Sequence, residues 1–214
     1  MIHLITAENR HLYTEAMLDH FRIRHDIYVR ERKWKELERD DGLERDQFDD
    51  NDAIYLLAME NKRVVGGSRM RPTSKPHLLS EVFAHLAEPH EFPSAPDIYE
   101  WTRLFIIDGR RTGWRNGSLT SQVVCGGIEY LVEEGVSAFT LLCETWWIPW
   151  FHEMGWKVSP LGLPSFIEND WWVAAMVDVD FKMLESTRRY CELPNRPLLV
   201  RNGLANPALT RRTA

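Results

Sequence analysis

The chain predicts a three-layer α/β domain on a mixed central sheet, and three observations carry that prediction. Strand-like and helix-like stretches interleave along the sequence instead of falling into separate blocks. The middle reads as strand, basic glycine-rich loop and helix in succession, over residues 100–107, 108–117 and 118–134. The 214 residues, 44% hydrophobic and 27% charged, are enough to bury one full core and few for two. A single domain over residues 1–214 is therefore expected, with a loose tail after about Glu192, where prolines 194, 197 and 207 fall.

Residues 2–6 suggest a first strand, 11–30 a helix, and 31–52 an irregular polar segment. Residues 53–60 and 63–71 read as strands joined by Asn61-Lys62, a two-residue turn in which asparagine tolerates the required positive backbone angle. Five prolines and a short apolar patch make residues 72–97 a loop with a brief helical turn. Within 118–134, Leu119, Val123, Gly127 and Leu131 recur every four residues, as do Val124, Ile128 and Val132, giving a broad packing face that Gly135 ends. Strands are expected at 136–143, 156–158 and 173–179, a short helix at 147–153 and a last helix at 181–190.

Composition excludes several classes. With 26 basic against 32 acidic residues the net charge is −6, which argues against nonspecific nucleic-acid binding. Cys125, Cys143 and Cys191 are widely spaced and form no CxxC, so neither a disulfide framework nor a zinc site is expected. The eight histidines show no ligand spacing, and no metal is assigned. The N-terminus turns polar too soon for a signal peptide, and no run is long enough to span a bilayer. A cytoplasmic protein without membrane association is the expectation.

Two segments carry chemistry. In Glu100-Trp101-Thr102-Arg103-Leu104-Phe105-Ile106-Ile107, strand alternation puts Glu100 and Thr102 on one face and Trp101 and Arg103 on the other. A carboxylate beside a hydroxyl suits proton transfer, and a guanidinium opposite suits a substrate carboxylate or a neighbouring acid. A structural ion pair accounts for the same residues equally well. Upstream, the run from Glu44 to Asp52 concentrates negative charge ahead of a strand. Such runs are usually solvated, yet Glu44, Asp46 and Phe48 recur at a spacing of two and Asp49 breaks it, an arrangement able to aim two carboxylates at one cation. Arg24 and Tyr28, four apart, share a helix face before this run, and Trp34 follows them.

In order, Arg24, Tyr28, Trp34, then Glu44-x-Asp46-x-Phe48-Asp49, Gly66-x-x-Arg69, Ser80-x-x-Phe83 and Glu100-x-Thr102-Arg103 resemble the signature of the bacterial acyl-homoserine-lactone synthases, the autoinducer synthases of quorum sensing. The match spans roughly the first half of the chain; Tyr28 departs from it, since the family usually has Phe there. Glu144-Thr145-Trp146-Trp147-Ile148-Pro149, with Gly155-Trp156-Lys157 and Pro160-Leu161-Gly162-Leu163-Pro164, resembles the subgroup that takes branched or aromatic acyl groups from coenzyme A.

The resemblance implies a GNAT-like α/β/α fold and no permanently bound cofactor. S-adenosylmethionine would supply an amine that attacks an acyl thioester, from acyl-coenzyme A or acyl carrier protein, and its carboxylate would then close the lactone and expel methylthioadenosine. Glu100 is then the expected base and Arg103 its catalytic partner. Arg24 or Arg103 would clamp the methionyl carboxylate, Asp46 and Asp49 would attract the ammonium or sulfonium, and Trp34 would cover the adenine or face the sulfonium. Tyr28 and Phe105 complete that expected site, with Arg69 orienting Asp46 or Asp49. A backbone N–H of residues 104–106 would face the thioester oxygen. Phe83, Trp101, Thr140, Leu142, Trp146 and Trp147 are expected to wall the acyl pocket, although ordinary core packing explains any single ring or the threonine. Arg110, Arg111 and Arg115 would hold the donor phosphate at the following helix N-terminus, the alternative being a solvated basic loop. Two other readings compete. A GNAT-type N-acetyltransferase using acetyl-coenzyme A would have no use for Arg24, Trp34, Asp46 and Asp49, and a ligand sensor would have none for Glu100 and Arg103.

Overall fold

In the computed structural model, which describes residues 1–87, 92–111 and 113–204, β1 (Ile2–Ile5) leads through a 3-10 turn at Arg10–Tyr13 into α1 (Thr14–Arg24). The helix does not stay regular to residue 30. From His25 to Glu31 it widens into a π-helical turn, a geometry that recurs at functional sites. An irregular polar segment follows, holding one short 3-10 turn at Lys35–Leu37.

Then come β2 (Ile54–Glu60), β3 (Arg63–Pro72), α2 (Leu78–Glu81), β4 (Ile98–Ile106), α3 (Leu119–Glu134) and β5 (Ala138–Glu144). Asn61 and Lys62 both adopt positive φ, 48° and 66°, as a tight two-residue hairpin turn demands. Ser118 caps α3 by accepting from the Ser121 N–H, and Gly135 stops it at φ 73°. The chain closes with α4 (Trp147–Glu153), β6 (Val158–Pro160), β7 (Ser165–Ile167), β8 (Asp170–Asp178), α5 (Phe181–Tyr190) and β9 (Leu199–Val200).

The strands form one sheet in the order β6-β8-β5-β4-β3-β2-β1-β9, with β7 on β8. Pairing is antiparallel except for β4 with β5 and β1 with β9, which run parallel. α1 and the π-turn bury Met17, Ile27 and Tyr28 against Tyr55, Leu57 and Phe105 on one face. α3 and α5 bury Ile128, Leu131 and Leu184 against Leu4, Met70 and Phe139 on the other. The result is the three-layer, GNAT-like α/β/α domain the sequence predicted. Gly127 is needed for this packing, because a Cβ there would come within 2.4 Å of the Trp101 ring.

Three expectations need correction. The strand expected at 156–158 begins at Val158. The β7–β8 hairpin was not anticipated, because its turn is Glu168-Asn169, which reaches positive φ without a glycine. The tail is not loose over residues 193–204: β9 pairs with β1, and Glu129 accepts from the Leu198 and Leu199 N–H groups. The prolines precede that short strand instead of interrupting it; Pro207 lies outside the described residues. Among the described residues no helix is long and apolar enough to cross a membrane, and Cys125, Cys143 and Cys191 are free and buried.

Candidate active site

The site originates in a parting of two parallel strands. β4 and β5 pair only from Ile98–Glu100 to Ala138–Thr140. Beyond that point they separate, and a cavity of about 470 Å³ opens between Trp101–Leu104 on one strand and Leu141–Glu144 on the other. Tyr28, Arg32 and Trp34 line it from the strap after α1, and Leu78, Val82 and Phe83 from the α2 segment.

β4 does not alternate as its sequence suggests. Gly67 faces Phe105 and Arg69 faces Thr102, so Ser68 alone opposes both Arg103 and Leu104. This is a β-bulge, and Arg103 sits in it at φ 55°. The extra residue turns the Arg103 side chain away from Trp101 and onto the side of Thr102, where the acidic run waits. The expected placement of Trp101 and Arg103 on one face is thereby corrected. The Tyr28 hydroxyl, absent from a phenylalanine, donates to the Leu104 carbonyl at 3.2 Å and pins the bulge.

Arg103 completes a closed ring of six alternating charges. Arg24 pairs with Glu44 and, at 2.8 Å, with Asp49. Glu44 pairs with Arg103 at 3.0 Å, and Arg103 with Asp46 at 3.1 Å. Asp46 pairs with Arg69 at 2.5 Å, and Arg69 returns to Asp49 at 3.0 Å. Further hydrogen bonds support the ring. The Tyr55 hydroxyl and the Asp46 N–H donate to Asp49, the Phe48 N–H donates to Asp46, and Arg69 Nε donates to Thr102. Burial alone would raise the Glu44 pKa, yet Arg103 and Arg24 outweigh it and hold the carboxyl at about 2. Asp49 is likewise driven down, burial being overcome by Arg24 and Arg69. Glu44 and Asp49 are therefore held ionised at neutral pH, each between two guanidinium groups, and the ring sets three basic side chains against three acidic ones.

Of the residues expected to meet S-adenosylmethionine, Tyr28, Trp34, Asp46 and Arg103 line the cavity. Arg24, Asp49, Arg69 and Phe105 do not: the three charges are committed to the ring, and Phe105 packs on His20 behind it. Because the π-turn begins at His25, Arg24 faces the ring while Tyr28 faces the cavity with Trp34 stacked on it at 5.3 Å. Glu100, the expected base, is also displaced from the cavity. It is 1% exposed, and its two oxygens accept from the N–H groups of Leu78 and Leu79 at 3.0 and 2.6 Å. Its place fastens α2, whose Leu78 lines the cavity.

Of the acyl-pocket expectations, Phe83, Trp101, Leu142 and Trp147 line the cavity, and Thr140 and Trp146 do not. Thr140 is wholly buried where β4 and β5 still pair, and Trp146 lies half exposed, stacked on Trp147 at 4.7 Å. The basic loop is tied into the protein: Arg110 pairs with Glu60, Arg111 with Glu31 and Asp108, and Arg115 sits over the Tyr190 ring at 5.1 Å. None of the three lines the cavity. Glu44, Arg32, Glu144 and Trp172 were missed. Glu44 and Glu144 both stood in the recognised patterns but were given no role of their own; Arg32 and Trp172 carried no local signal.

The parted parallel pair, the bulge and the charge ring together shape a cleft that is charged at one end and aromatic at the other. The autoinducer synthase family model matches residues 8–187, and the chain belongs to that family. It is 49% identical over 185 residues, 86% of this chain and 83% of the relative, to the isovaleryl-homoserine lactone synthase of Bradyrhizobium diazoefficiens. Among solved structures it is similar to BjaI, a CoA-dependent acyl-homoserine lactone synthase with SAM and isopentyl-CoA, at TM-score 0.88 and 44% identity, covering 99% of this chain and 97% of that one. It is also similar to MesI, another CoA-dependent acyl-homoserine lactone synthase, at TM-score 0.85 and 36% identity, covering 94% and 99%.

Proposed function

We propose that this chain acylates the amine of S-adenosylmethionine from a short branched or aromatic acyl-coenzyme A and lactonises the product to an N-acyl-homoserine lactone, releasing methylthioadenosine. The observation that carries the reading is the division of one cleft into a charged end, Arg103 beside Asp46, and an aromatic end, Trp101, Phe139 and Trp147. A methionyl group brings a carboxylate and an ammonium together, and adjacent guanidinium and carboxylate groups complement both. Trp34 offers its face to the adenine or sulfonium, a contact worth about 0.5–2 kcal/mol. A backbone N–H of the bulge at Arg103–Leu104 would serve the developing thioester oxyanion, and one such donor contributes about 3 kcal/mol. Glu100 anchors α2 behind the cavity in this reading, and the proton of the amine passes to water in the cleft.

The large rings shorten the acyl end, favouring a branched or planar group over a long linear chain. The kinship to CoA-dependent synthases supports coenzyme A over acyl carrier protein, as does a net charge of −6, ill suited to an acidic carrier. The same charge and the free cysteines fit a cytoplasmic enzyme with no nucleic-acid or membrane partner. An N-acetyltransferase working on acetyl-coenzyme A would leave the cavity-facing Arg103 and Asp46 without a task. Incubating the protein with S-adenosylmethionine and a panel of acyl-coenzyme A and acyl carrier protein donors tests the reading. Methylthioadenosine and acyl-homoserine lactone should form together, fastest with isovaleryl- or aryl-coenzyme A. Free coenzyme A without either product would refute it.

A further inference from the structure

Four carboxylates line the cavity: Glu36, Asp46, Glu144 and Glu168. Asp46 belongs to the charge ring, and Glu36 and Glu168 stand exposed at the rim. Glu144 is different. It ends β5, is 8% exposed, and divides its two oxygens between opposite walls of the cleft. Arg32 Nη1 donates to Oε1 at 3.0 Å, and Trp147 Nε1 donates to Oε2 at 3.0 Å.

Each donor stands for one half of the site. Arg32 lies over the Trp34 ring at 5.4 Å, and Trp34 stacks on Tyr28, so this arm reaches the side proposed for S-adenosylmethionine. Trp147 packs edge-on against Trp114 at 5.2 Å and lines the side proposed for the acyl group. Among the described residues, Arg32–Glu144 is the one ion pair joining the strap of residues 25–37 to β5 or α4. The two halves of the cleft therefore share one carboxylate, each donor holding its own oxygen. A glutamine in its place has one acceptor oxygen and turns an N–H toward one of two N–H donors.

We propose that Glu144 is a positioning residue that couples the two substrate sites, fixing Trp147 as the acyl wall and, through Arg32, holding Trp34 and Tyr28 across the S-adenosylmethionine side. The inference rests on the synthase reading above. A ligand that orders one arm of Glu144 orders the other, so each substrate tightens the binding of its partner by the same factor.

Calorimetric titration of the intact protein tests this with S-adenosylmethionine and the isopentyl thioether of coenzyme A, which has no acyl group to transfer. In the native protein each ligand should bind several-fold more tightly when the other is present. Glu144→Gln should weaken each ligand alone by about tenfold, the worth of one charge-assisted hydrogen bond, and abolish the coupling. Arg32→Met should weaken S-adenosylmethionine alone, Trp147→Phe the thioether alone, and both should lose the coupling. These two variants leave the carboxylate in place and carry the test if Glu144→Gln fails to fold. A folded Glu144→Gln with native affinities, or single variants that keep native coupling, overturns the inference alone. Native protein that binds neither ligand overturns the synthase reading together with it.

Discussion

The charged end of the cleft and its aromatic end are built on opposite principles. At the charged end six side chains from α1, the acidic segment, β3 and β4 close on one another, and nearly every polar atom has a partner before any substrate arrives. At the aromatic end the rings of Trp101, Trp147 and Trp172 surround open cavity, and among the described residues the buried indole N–H groups of Trp101 and Trp172 find no partner. One end specifies by fixed charge and the other by shape. Substitutions at the first should therefore be felt through folding as much as through turnover, and those at the second through selectivity.

The largest effect should come from breaking the ring at its buried side. Arg24→Met leaves Glu44 and Asp49 with an uncompensated charge and should cost about 3–5 kcal/mol in urea denaturation, with turnover lost through unfolding. An intact melt would mean that the ring is not the framework described. Acid should attack the same feature. Glu44 titrates near 2 in the folded protein against about 4.5 for a free glutamate, so its ionised form supports the fold above pH 4.5. That support, about 3 kcal/mol, drains away as pH falls from 4.5 towards 2, and Asp49 adds to the loss in the same direction. Stability of Glu44→Gln should fall less steeply across that window.

At the ring's cavity edge, Arg103→Gln should raise KM for S-adenosylmethionine about 10- to 100-fold while lowering the melting temperature less than Arg24→Met does. Equal losses of stability in the two variants would erase the distinction between framework and contact. Glu100→Gln should cost about 1–3 kcal/mol of stability by disturbing the α2 anchorage, with the pH profile of turnover unchanged. A profile that shifts to alkaline pH would restore Glu100 as the base. The smallest effect separates two neighbours at the aromatic end. Trp147→Ala should admit longer acyl chains, a change of about 1–3 kcal/mol in selectivity per added group, and Trp146→Ala should leave chain preference as it was. Equal broadening by both would place Trp146 in the wall after all.

Much of this was legible before the structure. Periodicity located α3 and its Gly135 stop, α4 and α5 matched their expected bounds, and Asn61-Lys62 gave the β2–β3 hairpin. Tyr28, Trp34, Asp46 and Arg103, singled out in the sequence, do line the cavity. What spacing could not convey was which charges face the ligand and which face each other. Arg24 and Arg103 look alike in the sequence, and only the π-turn and the bulge decide that one is interior and the other reaches the cavity. Glu144 and Arg32 lie 112 residues apart, and Trp172 reaches the cleft through a hairpin whose turn lacks glycine. Each depends on tertiary closure that no local pattern records.

The bulge in β4 is a shift of phase. A strand is a signal of period two, and one surplus residue opposite Ser68 inverts that signal for everything that follows. Deleting Leu104 would keep every charge of the ring and every tryptophan of the wall in the sequence, and would turn Arg103 back toward the aromatic side. The active site is thus written partly in a count of residues: a homologue with the same letters but one fewer in this strand would inherit the vocabulary of the enzyme without its meaning.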